Sequence, residues 1–161
     1  MKRTIILSII ATLAVGSVFT AAIGERYTKF SSKFVKNFKD CDNYEETVTS
    51  EFENQKFTTR RKIHGWRNGI CLYEEVITSP KDQYRLVCNL TSMQVDELYD
   101  AMKKKPRAIE KYEMEIYAPQ ETKNGTKYNV VGTQTIKGNR AYVAWARVQN
   151  NPYFCTPQKI K

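Results

Sequence analysis

One histidine and four cysteines are the residues here with the widest chemical repertoire, and their spacing limits what they can do. His64 is the sole histidine. An imidazole exchanges its proton near neutral pH. With Glu74 or Glu75 and Arg85 it would supply the acid, base and cation that RNA cleavage requires. Register argues against that assembly. Asn68-Gly69 between two extended runs predicts a two-residue hairpin turn, which sets Trp66 opposite Cys71 and His64 opposite Tyr73. Side chains alternate along a strand, so His64 then shares a face with Tyr73 and Glu75, while Glu74 and Arg85 face each other on the opposite side. A secreted ribonuclease using His64 is therefore the weakest of three functional readings, and no catalytic residue is assigned.

The cysteines carry a structural expectation. None belongs to a Cys-x-x-Cys motif, and an even number in an exported chain predicts two disulfides. If residues 78–81 form the loop after the third strand, Cys71 faces Cys88 on the neighbouring strand, close enough to bridge. That leaves Cys41 to pair with Cys155. The sequence offers no serine nucleophile elbow, glycine-rich phosphate loop or carboxylates at metal-ligand spacing, so no metal or cofactor is expected.

Export is read from the first 24 residues. Lys2 and Arg3 precede an apolar run from Ile5 to Phe19, and Ala22-Ile23-Gly24 fits a small-x-small cleavage site. A cut after Ala22 is the near alternative. An uncleaved anchor is the competing reading, because the stretch from Ile5 to Ile23 nears bilayer-spanning length. The expected organisation is thus a signal peptide over 1–24 and one exported domain over 25–161, periplasmic or extracellular. The whole chain has 26 basic and 17 acidic residues; losing Lys2 and Arg3 leaves 24 against the same 17. That surplus favours encounter with acidic surfaces such as anionic lipid, polysaccharide or nucleic acid.

These residues need elements to position them. Phe30, Phe34, Val35 and Phe38 recur at helical spacing among lysines, and predict a helix whose aromatic stripe faces a core rather than a membrane. From Tyr44 the period becomes two, with strands expected to about Phe52, from Phe57 to Trp66, from Ile70 to Thr78 and from Gln83 to Leu90. Thr91 with Gln94 three residues on predicts a capped helix, ended by Pro106. Tyr112 to Ala118, Tyr128 to Ile136 and Arg140 to Val148 are read as three further strands with turns at Asn124-Gly125 and Gly138-Asn139. The last is alanine-rich, which leaves a helix as its alternative.

The expected fold is α+β: an antiparallel sheet of about seven strands, a four-strand meander, a helix and a three-strand meander, with the N-terminal and central helices packed on it. The leading functional expectation is a small binding or structural protein of the cell envelope without catalysis. Its surface is expected around Trp66, His64 and Tyr73, since Trp and Tyr anchor many interfaces. The partner is expected to be an anionic envelope component or another protein. A carrier enclosing an apolar ligand between strands and helix is the second reading, and demands a cavity of roughly several hundred Å³.

Overall fold

The computed structural model describes residues 17–18, 27–52, 54–103 and 109–160. The expected signal peptide therefore lies outside the described residues except for Ser17 and Val18, which form β1 (Ser17–Val18) and pair with β2 (Tyr27–Thr28). Among the described residues no helix is long and apolar enough to cross a membrane.

Helix α1 (Ser32–Lys39) starts where Ser31 Oγ accepts the Phe34 N–H at 3.0 Å, and Lys36 and Lys39 occupy its last turn, the negative end of its dipole. Phe34 and Phe38 are fully buried, so the aromatic stripe faces the core. A meander follows: β3 (Tyr44–Phe52), β4 (Gln55–Arg67), β5 (Ile70–Thr78) and β6 (Gln83–Leu90). The β4–β5 turn has φ of 51° at Asn68 and 77° at Gly69, the left-handed pair that Asn-Gly accepts most readily. Helix α2 (Ser92–Lys103) carries the expected capping box: Gln94 Oε1 accepts the Thr91 N–H at 2.8 Å.

The last third departs from expectation. β7 (Ile109–Thr122) and β8 (Gly125–Asn139) form a long two-stranded ribbon of their own, outside the main sheet. Residues read as the final strand are instead helix α3 (Arg140–Gln149). Asn139 caps it by accepting the Tyr142 N–H at 3.0 Å, so Gly138-Asn139 starts a helix rather than a hairpin. Tyr142, Trp145, Ala146 and Gln149 are buried at helical spacing, and Ala141, Ala144 and Ala146 favour the helix. The closing strand is β9 (Cys155–Lys159), beside β6, so the main sheet has the order β3-β4-β5-β6-β9 and is antiparallel throughout.

All three helices of the described residues contribute to one side of this sheet. Phe34, Phe38, Tyr73 and Trp145 pack ring to ring there, with Tyr73 and Trp145 centroids 4.9 Å apart. Val95 and Leu98 of α2 complete the layer. A second cluster roots the ribbon on α3 through Met114, Ile136, Tyr142, Val143 and Ala146.

The cysteines pair as Cys41–Cys71 and Cys88–Cys155, which replaces both expected bonds. The reason is the β5–β6 turn. It spans 79–82 rather than 78–81, with Ser79 Oγ accepting the Asp82 N–H at 2.9 Å. The register shifts accordingly: Cys71 stands opposite Leu90 and Tyr73 opposite Cys88. Cys88 finds its partner on the other neighbour, directly opposite Cys155 on β9, while Cys41 at the end of α1 reaches Cys71. Loops of 30 and 67 residues are closed, each worth about 4 kcal/mol in the chain-entropy model. Such bonds persist in a non-reducing, exported setting.

Candidate functional site

Strand alternation gives the main sheet two faces, and both carry charge. On the outer face, away from the helices, Glu74 of β5 is the hub. Its side chain is only 8% exposed, yet the basic side chains around it are accessible, Arg60 and Arg85 at 44% and Lys62 and His64 at 31%. Arg85 donates to Glu74 Oε2 through Nε at 2.9 Å and Nη2 at 2.6 Å, and Arg60 Nη2 donates to Oε1 at 3.2 Å. His64 Nε2 lies 3.8 Å from Oε2. Glu45 on β3 holds Lys62 at 3.3 Å and Arg60 at 3.6 Å.

His64 stands on this face because of a bulge. Ile63 pairs with Tyr73 and Gly65 with Leu72, which leaves His64 as the extra residue. Alternation is reset, and the histidine turns outward to Glu74 instead of inward with Glu75. The facing of Glu74 and Arg85 is also corrected: Val87 stands opposite Glu74, and Arg85 reaches it diagonally from opposite Val76. His64, Glu74 and Arg85, which the expected register separated, are thus brought together.

The chain matches no family model, no curated protein and no solved structure. Any function must be argued from its own side chains.

The three residues expected to share a binding surface do not share one. Tyr73 is fully buried on the inner face, between Phe38 and Trp145. Trp66 is 42% exposed and donates from Nε1 to the Asp40 carbonyl at 2.8 Å, pinning the end of α1 beside the Cys41–Cys71 bond. Only His64 remains on an accessible sheet face. The aromatic rings also occupy the space between sheet and helices in which a carrier would hold its ligand.

The inner face hides a second charged group. Arg61 and Glu75 are fully buried, with Arg61 Nε donating to Glu75 Oε1 at 3.1 Å. The same oxygen accepts from the Tyr73 hydroxyl at 2.7 Å, and Oε2 accepts from Gln149 Nε2 at 2.8 Å. Arg61 Nη1 also donates to Glu46 at 3.3 Å, and its guanidinium lies 4.5 Å from the Phe30 ring centroid. Burial pushes the Glu75 carboxyl up, against the opposing pull of Arg61 and the three hydrogen bonds. Burial likewise lifts the Tyr73 phenol, and the Glu75 charge adds to it. Arg61, Glu75 and Tyr73 are shut away from solvent, so the work of the group is to join α3, Phe30 and the sheet. Sequence reasoning missed it, although Arg61 stands in phase with Thr59 and Ile63, and Glu75 with Tyr73 and Ile77. A charge on an apolar period was the signal.

A cleft of about 300 Å³ lies where the ribbon meets the end of α3, lined by Tyr112, Glu113, Glu115, Tyr117, Arg147 and Asn151 among others. Tyr117 donates to Glu115 at 2.5 Å, and that bond pushes its phenol up to about 12. Arg147 is already paired with Glu97.

Proposed function

We propose that the chain is an exported binding protein, periplasmic or secreted, that holds an anionic partner on the outer face of its main sheet. Four accessible nitrogen-bearing side chains, Arg60, Lys62, His64 and Arg85, ring one nearly buried carboxylate there, and that is the observation carrying the reading. Glu74 holds Arg60 and Arg85 in fixed orientations with part of each guanidinium still facing water. Pre-oriented cations lose less freedom on binding than loose ones. The basic surplus of the whole chain steers acidic partners to the surface, and the local array gives them a place to dock.

The test is retention on immobilised heparin as a model polyanion across a salt gradient. The wild type is expected to bind, and Arg60→Gln with Arg85→Gln to lose about tenfold or more in affinity, since each cation displaces counterions. Lys33→Gln with Lys36→Gln on α1 is the charge-matched control and should lose less. Equal losses would mean that net charge alone is at work, and the proposal for this face would fall.

The ribonuclease reading regains one supporting observation, the 3.8 Å approach of His64 to Glu74. Against it, both carboxylate oxygens already accept guanidinium N–H bonds, which leaves Glu74 poorly placed to take a proton from a substrate. RNA cleavage by wild type that disappears in His64→Ala would nonetheless reinstate it.

A further inference from the structure

Among the described residues both edges of the β7–β8 ribbon are open, and they are chemically unlike. Unpaired strand edges template the addition of another strand, and proteins blunt them with charge or proline. β7 is blunted throughout by Glu110, Lys111, Glu113, Glu115, Pro119 and Glu121. β8 reads Tyr-Asn-Val-Val-Gly-Thr-Gln-Thr-Ile from Tyr128 to Ile136, without a charge or a proline. From Gly125 to Thr135 its residues are exposed apart from half-buried Tyr128. Val130 and Val131 are 51% and 57% exposed, and the space around Gly132 is open. β-Branched, uncharged, exposed sequence of this length pairs with other strands unless something already covers it.

We propose that β8 pairs with β8 of a second copy of this chain, antiparallel about a twofold axis, so that two ribbons become one four-stranded sheet. A twofold contact sets a surface against itself. That is tolerable for β8, which has no charge in the run, whereas β7 would set glutamates against glutamates. The flanking cations Lys127 and Lys137 select the register. Centred on Gly132, the pairing opposes one lysine to the other. Centred on Val131, it sets Lys127 opposite Thr135 and Lys137 opposite Gly125, which keeps like charges apart. The Val131 bulge, between the Ile116–Gly132 and Tyr117–Val130 pairs, adds twist but no repulsion. The ribbon gains by this: α3 holds only its base, and two further strands would support the part beyond it.

The experiment is sedimentation of the full oxidised protein recovered after export, compared with Asn129→Glu/Thr133→Glu, residues that oppose each other in the Val131-centred register, and with Glu113→Gln/Glu115→Gln. All four side chains are exposed, so melting temperature serves as the check on folding. The wild type should form a concentration-dependent dimer, and the β8 variant should weaken it by about 100-fold or more, because like charges facing each other in an interface cost several kcal/mol. The β7 variant should remain dimeric. A wild type that stays monomeric at every concentration overturns the proposal, as does a β8 variant that dimerises as well as wild type.

Discussion

Arg60 and Arg61 are neighbours in sequence, as are Glu74 and Glu75, yet alternation along β4 and β5 sends one ion pair to water and the other to the core. Arg61 and Glu75 are 0% and 1% exposed, whereas Arg60 keeps 44% of its side chain in solvent. The chemistry of the two pairs is the same and their surroundings differ. Inside, each charge has lost its water, so it depends on its partners and cannot be spared. Outside, solvent screens the pair, which contributes little to stability and leaves its cations free to meet a ligand. A salt bridge is therefore part of the scaffold or part of a binding surface according to which face of the sheet it occupies.

The sharpest way to break this contrast is to remove one inner charge. Arg61→Met is expected to destabilise by about 3–5 kcal/mol in urea denaturation, because Glu75 is left buried without its main counter-charge. Replacing both at once, Arg61→Met with Glu75→Leu, should recover much of that loss. Next in size is the cross-strand bond: Cys88→Ser with Cys155→Ser should cost about 4 kcal/mol, seen as an earlier urea midpoint under oxidising conditions. On the outer face Arg85→Gln is expected to cost less than about 1 kcal/mol, with a smaller difference still at high salt. The smallest effect concerns Tyr117, whose phenol should fall from about 12 towards its ordinary 10.0 in Glu115→Gln, read by pH titration of its ring resonances.

Acidity sharpens the contrast further. Folding raises the Glu75 carboxyl above its ordinary 4.5, so the folded state binds this proton more tightly than the unfolded one. Its share of stability is complete below that ordinary value and fades as pH rises through the folded value. The stability of wild type relative to Glu75→Gln should therefore grow as pH falls from 7 towards about 4.5. A wild type that instead loses ground to the variant over that window would contradict the assignment.

Much of the scaffold was legible in the residues. Asn68-Gly69 specified its turn through left-handed backbone, the Thr91–Gln94 box marked α2, and Phe34 with Phe38 marked the buried stripe of α1. What was not legible turned on single-residue events. The bulge at His64 inverts the parity of everything beyond it, and its one local mark is Gly65, with φ of 95° inside the strand. A loop displaced by one residue at Ser79 moved the β5–β6 register and with it both disulfides. Residues 140–148 satisfied either period until the Asn139 cap and the alanines decided for a helix. The outer-face cluster inherited these errors, since His64 joins Glu74 only once the bulge is known.

The most direct test of the two-face account is to compare Arg60→Gln with Arg61→Gln, adjacent substitutions of the same kind, by urea denaturation at one salt concentration. The account predicts a loss below about 1 kcal/mol for the first and about 3 kcal/mol or more for the second. Equal losses, or the larger loss at Arg60, would contradict it.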